Sequence, residues 1–255
     1  MSGGLLARLP AALRGRRDVL DLQDLWADAS VPARSADAVV LVRQGPAGPL
    51  MWAAGDPRDL ERLVPGALVD HGPGLRWLTV PRAVRLPQDA LSAAGVVPST
   101  SWDRFSTDVA PPPHPGADAV EELDVATELP AMVACLDAAN PATHARPGAP
   151  DDVVWWGLRD GDAGLLGVIG VARRPGAGRP SMHLHGLGVV PAARGRGLGT
   201  ALAATAARRA LEAGAPWVSL HMYTDNAPAR RVYLGLGFRV DAENAGYGPP
   251  GAGRP

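Results

Sequence analysis

Four short apolar runs in the second half of the chain are bounded by turn residues and therefore predict β-strands. They lie at residues 153–159, 165–172, 182–190 and 217–223, with a turn at 160–164 between the first two. An Ala-rich stretch without proline predicts a helix at 198–213, because Gly214 and Pro216 follow it as stop signals.

Two further helices complete this half of the pattern. Asn226 and Pro228 are typical of a helix start, and Gly237 marks its end before a strand that begins at Phe238. A strand at 120–125 and a helix at 128–138 come before all of these elements. The resulting order, β-α-β-β-β-α-β-α-β, predicts a mixed α/β sheet.

The first half shows a fainter version of the same order. A hairpin is predicted from strands at 38–44 and 50–54. A helix at 57–68 and a strand at 75–80 are predicted to follow it. The segment Leu91–Val97 then resembles Tyr233–Arg239, since glycine follows the large residue by four positions in both. This similarity indicates a diverged duplication of one fold.

A proline-rich segment separates the two halves. Three consecutive prolines between Ala110 and Gly116 favour an extended connector. We therefore predict a first domain at 1–110, a linker at 111–116, a second domain at 117–245 and a flexible tail at 246–255.

Composition excludes several classes of protein. All 25 basic residues are Arg, so lysine Schiff bases and the lysine-dependent P-loop are excluded. Cys135 stands alone, so disulfides and Cys-rich zinc sites are excluded as well, and a core position is expected for it. The net charge of −1 gives no basic surface for nucleic acid, and no apolar run is long enough for a membrane span. The N-terminus has no signal-peptide pattern, so a cytoplasmic location is expected.

A glycine-rich loop joins the predicted strand at 182–190 to the long helix. Glycines let the backbone approach a ligand, and the free amides at a helix start attract anions. The dinucleotide motif does not fit, because Thr200 stands where its third glycine belongs. The loop therefore predicts a diphosphate cradle, with a tight turn as the alternative. Downstream, Asn226 and Tyr233 lie two helical turns apart, which would place a phenol on the face that carries the cap.

These two segments together resemble the GNAT superfamily of acyl-CoA-dependent N-acetyltransferases. Residues 194–199 fit the R-x-x-G-x-G/A motif, and residues 226–238 fit the last helix of that family. The resemblance covers about residues 117–245 and implies a mostly antiparallel central sheet flanked by helices. Tandem proteins with a degenerate N-terminal GNAT-like half occur in the superfamily, which suggests the same arrangement here.

The resemblance also implies roles for particular residues. Tyr233 would protonate the leaving CoA thiolate. Acetyl-CoA, the cosubstrate, would be held by three groups of residues. The pantetheine arm would contact Leu187, Gly188 and Val189. The pyrophosphate would contact Arg194, Gly195, Arg196, Gly197, Leu198, Gly199 and Thr200. The remaining contacts would come from Asn226, Arg230 and Arg231.

Two histidines are the candidates for the general base. His183 and His185 alternate with other residues on one strand, so they share a face, and imidazole suits proton transfer near neutral pH. Two alternatives stay open: both rings are ordinary strand histidines, or they bind zinc together with His221. We expect no metal, because no carboxylate or cysteine lies at ligand spacing.

The sequence thus predicts an enzyme that moves an acetyl group directly to an amine of a small molecule or peptide. The segment 140–152, with Asn140 and His144, and the rings of Trp155 or Trp156 would line the acceptor pocket. A non-catalytic acyl-CoA-binding module is the alternative. The identity of the acceptor and the oligomeric state stay open.

Overall fold

The computed structural model describes residues 4–141, 143–161 and 164–252, so the predicted turn at 160–164 lies partly outside it. The helices of the described chain are α1 (Leu5–Arg8), α2 (Arg17–Leu20), α3 (Pro57–His71), α4 (Gln88–Ala93), α5 (Val125–Ala139), α6 (Leu198–Glu212) and α7 (Ala227–Gly235). Its strands are β1 (Ser30–Arg34), β2 (Ala38–Gly45), β3 (Gly48–Gly55), β4 (Trp77–Pro81), β5 (Val97–Thr107), β6 (Glu121–Leu123), β7 (Asp152–Arg159), β8 (Leu165–Arg174), β9 (Ser181–Val189), β10 (Val218–Tyr223) and β11 (Arg239–Gly248).

The chain forms two compact units. Unit 1 contains Met1–Arg104, Tyr223–Asp225 and Val240–Pro255, and unit 2 contains Phe105–Met222 and Asn226–Arg239. These limits differ from the predicted boundaries, because most of the last strand belongs to unit 1. The predicted domain assignment therefore stays a prediction.

Unit 1 is built on a mostly antiparallel sheet. Strand β2 pairs antiparallel with β1 and β3, and β4 is parallel to β3 and antiparallel to β11. The apolar run of β2 is buried on both faces. Val40 packs with α3 and α4, while Val39 and Leu41 pack with Leu5 and Trp26 from the N-terminal segment.

The first three residues of the predicted flexible tail, 246–248, lie in strand β11. Gly246 and Tyr247 of β11 lie opposite Thr79 and Leu78 of β4. Tyr247 also packs against the unit 1 core, so burial holds this segment in the sheet. Strands β1 and β5 and the short helices α1 and α2 are further elements that the sequence pattern did not predict.

The elements from β6 to β11 confirm the predicted order, and all of them except most of β11 belong to unit 2. Strand β7 pairs antiparallel with β6 and β8, β9 is antiparallel to β8, and β10 is parallel to β9. Helices α5 and α6 pack on this sheet. Helix α5 begins three residues earlier than predicted, because the Asp124 carboxylate caps it by accepting from the amide of Ala126. The β6 strand is correspondingly short.

The proline-rich segment belongs to unit 2 and contacts helix α6. The Arg208 guanidinium of α6 donates to the carbonyl of Pro111. His114 lies beside Gly197, so the segment reaches the start of α6.

The start of α3 provides a test of helix capping in unit 1. The Asp56 carboxylate accepts from the amides of Arg58 and Asp59, at 2.9 and 3.1 Å. Replacing Asp56 with Ala should lower the free energy of unfolding by about 0.5–2 kcal/mol, because these amides lose their partner. Asp56→Ser keeps a capping oxygen and should cost less in urea denaturation. Equal losses in the two variants would contradict the capping role.

Candidate functional site

A bulge interrupts β9 just before the glycine-rich loop. Val168 lies opposite Gly188 and Gly170 opposite His185, so β9 has one extra residue between these pairs. Gly186 lies in this extra segment with φ +61°, a conformation that favours glycine. The bulge redirects the last residues of β9, which were predicted to hold the pantetheine arm.

Strands β9 and β10 separate at the end of β9 that carries the bulge. Their parallel pairing joins Met182 with Val218 and His183 with Ser219. Within the described residues the pairing ends there, although both strands continue. The backbone groups of Leu187, Gly188 and Val189 therefore border a gap in the sheet that could receive an extended ligand.

The start of α6 lies directly after this gap. Gly195 and Gly197 have φ +77° and +79°, and Gly197 is the N-cap without a side-chain hydrogen bond. The first amides of a helix have no partner within the helix, so those of Leu198, Gly199 and Thr200 are available to an anion. A side chain at Gly197 would face strain and a ring atom of His114 at 3.5 Å. This uncapped start fits a diphosphate.

Arg194 is engaged with the backbone. Its Nη2 donates to the carbonyl of Ala139 at 2.8 Å and its Nε donates to that of Val189 at 3.2 Å. Its own amide donates to the carbonyl of Pro191 at 3.3 Å. Arg194 thus braces the loop, and the cradle for an anion begins at Gly195. Arg196 is exposed at the open side of the loop.

The last helix carries the other residues predicted to bind the cofactor. Asn226 caps α7, as predicted, by accepting from the amide of Ala229 at 3.1 Å. The Arg230 guanidinium lies 5.4 Å from the ring centre of Phe105, and Arg231 is exposed. Asn226 and Arg231 are exposed, whereas Arg230 is half-buried.

Tyr233 of α7 lies between two other aromatic side chains. Its side chain is 7% exposed, and its ring centre lies 5.7 Å from that of Phe238 and 6.2 Å from that of Phe105. Burial raises the pKa of the Tyr233 phenol above its ordinary value of 10. The hydroxyl therefore carries its proton at neutral pH, as a general acid requires.

The two candidate histidines occupy different surroundings. His183 is 3% exposed, and its Nδ1 lies 3.0 Å from the hydroxyl oxygen of Ser219. Its ring centre is 4.9 Å from that of His221 on β10. His185 instead packs edge-on to Trp155 at 5.0 Å, with Nε2 3.0 Å from Oδ1 of Asp152. The His185 ring is therefore paired with a carboxylate.

Asp152 is held in place by several donors. Its Oδ2 accepts from the amides of Gly148 and Ala149 and from Nε1 of Trp155, at 2.9, 3.2 and 2.7 Å. Sequence reasoning placed Asp152 only at the end of the acceptor segment. The sequence shows only that Asp152 is an acidic residue at the start of a Trp-rich strand. It does not reveal that the partner, His185, lies two strands away in the sheet.

The remaining predicted site residues are dispersed. Trp155 is buried in the core beside α5, and Trp156 packs under the Arg209 guanidinium of α6, 5.6 Å from its ring centre. Cys135 is 4% exposed, as expected of a core residue, and burial raises the pKa of its thiol. Asn140 and His144 lie exposed in the segment before β7.

The zinc alternative finds no support in the geometry. His183 contacts His221, while His185 turns to Asp152. The described residues contain no group of three or more His, Cys, Asp or Glu side chains that could hold a metal ion. Among them there is also no helix that is long and apolar enough to cross a membrane.

Solved structures share this topology, which is the GNAT fold. One is a GCN5-related N-acetyltransferase from Sphaerobacter thermophilus, with 16% identity, a TM-score of 0.59, and coverage of 95% of this chain and 92% of that one. Another, from Kribbella flavida, has 21% identity, a TM-score of 0.53, and coverage of 98% and 97%. At these identities the likeness shows the fold alone.

The sequence comparison identifies the family of unit 2's region. Residues 119–238 match the model of the Acetyltransferase (GNAT) family, so this segment is a GNAT acetyltransferase domain, as its motifs predicted. The mycothiol acetyltransferase of Nocardiopsis dassonvillei is 40% identical over 73 residues, covering 29% of this chain and 22% of that protein. That of Beutenbergia cavernae is 37% identical over 98 residues, covering 38% and 32%. The matched segment thus spans less than a third of either relative.

Proposed function

We propose that this chain transfers an acetyl group from acetyl-CoA to an amine of a small molecule. The observation that carries the proposal is the gap between β9 and β10, bordered by the Gly186 bulge and leading to the uncapped start of α6. An extended thioester with a diphosphate needs such an arrangement, since its arm lies along a strand and its anion lies at helix amides.

The chemistry follows from groups at this site. The amine nitrogen attacks the thioester carbonyl, so that a C–N bond forms and the C–S bond breaks. An imidazole of His183 or His185 takes the proton from the amine, and Tyr233 gives its proton to the thiolate. A backbone amide near Leu187 polarises the carbonyl. The products are an amide and free CoA, and solvent exchange returns both side chains to their starting states.

The acceptor is proposed from two considerations. The relatives are named mycothiol acetyltransferases, which favours a small-molecule amine for this chain too. The near-neutral net charge gives little long-range steering of a charged acceptor, so specificity rests on local contacts. The segment 140–152 and the exposed side of His185 are the proposed lining.

We also propose that unit 1 binds no acetyl-CoA in this manner. Its helix α3 follows a strand as α6 does, but the Asp56 carboxylate already occupies the first amides of α3. A second anion there would meet a negative charge in place of free donors. The repeated order of strands and helices in unit 1 supports the proposed degenerate duplication.

One experiment tests the proposed function. The purified chain is incubated with acetyl-CoA and a panel of small amines, including amino sugars, and free CoA thiol and the acetylated product are measured. We expect amine-dependent CoA release and, by calorimetry, one acetyl-CoA per chain. Binding without turnover across the panel would favour the non-catalytic binding module. Two equivalent sites would contradict the proposal for unit 1.

A further inference from the structure

The pairing of a buried carboxylate with one histidine suggests that the two side chains have different roles in the reaction. Asp152 Oδ1 and His185 Nε2 are both buried and lie 3.0 Å apart. Within the described residues neither atom has a hydrogen bond elsewhere, so each is the polar partner that the structure supplies for the other. A small rotation of the ring would align an Nε2–H with the carboxylate oxygen.

The carboxylate is rigidly placed for this contact. Its other oxygen is saturated by two backbone amides and by Trp155, whose ring also packs against the imidazole. The neighbouring strand β8 also restricts the position of the His185 ring. A Cβ at Gly170 would lie 2.6 Å from its Nε2, so the ring can occupy this position only because residue 170 of the opposite strand is glycine.

We propose that Asp152 is the positioning residue of the general base, and that this base is His185 rather than His183. Asp152 holds the ring proton on Nε2, which leaves Nδ1 as the basic atom. The His185 side chain is 20% exposed although Nε2 is buried, so the exposed part belongs to the rest of the residue. This inference rests on the proposed function, because it assigns the base for that reaction.

The surrounding charges set the pH at which the base works. Burial lowers the pKa of His185, the Asp152 carboxylate opposes this, and Arg174 of β8 and Asp151 act more weakly in opposite directions. Because the pKa is lowered, the ring is neutral and able to accept a proton at pH 7. Removing the Asp152 charge removes an effect that raises the pKa, so the pKa should fall further.

Asp152→Asn is the informative change. The Asn oxygen can still accept from the amides and Trp155, while its NH2 group would face Nε2 and favour the tautomer with the proton on Nδ1. The base atom is then blocked, and kcat/KM should fall by about 100- to 1000-fold, within the range of base catalysis. The acidic limb of the pH profile should move to lower pH, and the Kd for acetyl-CoA should stay within about twofold.

The matched control is Asp160→Asn. This exposed carboxylate lies at the other end of β7, outside the proposed acceptor lining, so the same chemical change there should alter kcat/KM little. His185→Gln should remove the limb. In the His185→Gln background, the further change Asp152→Asn should cost almost nothing, because the two residues act as one unit. A purely structural carboxylate would give additive losses.

A histidine NMR titration separates this inference from the proposed function. The ring nitrogens of His185 report its pKa and tautomer without any acceptor, so they can be followed even if no amine is acetylated. A lower pKa and a changed tautomer in Asp152→Asn support the pair. An unchanged tautomer, or a His185→Gln variant that keeps the acidic limb, would overturn it. If Asp152→Asn fails to fold, the His185→Gln profile alone decides.

Discussion

Tyr233→Phe should lower kcat for amine-dependent CoA release by about 10- to 10⁴-fold, the scale of general acid catalysis. The phenol is the buried group of α7 that keeps its proton at neutral pH, since burial raises its pKa. Phe keeps the packing with Phe105 and Phe238 and removes only the hydroxyl. CoA is a fairly acidic leaving group, so a loss near the lower end is consistent with the role.

The control for this change is Tyr247→Phe. It removes a phenol oxygen from β11, which pairs with β4 in unit 1. We expect kcat to stay near that of the unchanged chain. Rapid-mix kinetics and calorimetry should show that Tyr233→Phe affects turnover and leaves the Kd for acetyl-CoA nearly constant. Full turnover in Tyr233→Phe would assign the acid to another group.

Gly197→Glu should weaken acetyl-CoA binding on the order of 100-fold relative to Gly197→Gln. Both side chains impose the same strain, because residue 197 has φ +79°. Only Glu adds a negative charge at the helix start, where the diphosphate is proposed to lie. Two unit charges at 4 Å interact by about 4 kcal/mol at an effective dielectric constant of 20, and about 2.8 kcal/mol already corresponds to a 100-fold change.

Calorimetry at low and high salt separates the charge effect from strain. The difference between the Glu and Gln variants should shrink as salt rises, because exposed charges are screened. Circular dichroism checks that α6 remains folded in both. Equal affinities for the two variants at low salt would place the anion elsewhere.

The elements around the proposed cofactor site could be predicted because their signals are local. The strand that ends at Pro191, the glycine loop, the Ala-rich α6 and the Asn226 cap all lie within a few residues of their determinants. Strand β5 was missed because its run 97–107 is rich in Ser and Thr. The end of β11 was missed because its two glycines are typical of a loose tail, whereas burial of Tyr247 decides its place.

The acid–base groups were only partly accessible from the sequence. Alternation placed His183 and His185 on one strand, but it could not choose between them. The choice depends on side-chain contacts between strands, because Asp152 lies beside the His185 ring and Ser219 lies beside the His183 ring. The bulge at Gly186 was equally hidden, because a lone glycine in a strand fits several conformations.

The brace formed by Arg194 couples two segments of unit 2. One guanidinium joins the carbonyl of Val189, at the end of β9, to that of Ala139, at the end of α5. The segment that carries Asp152 follows Ala139, so a displacement of the glycine loop would also pull on the start of the proposed acceptor segment.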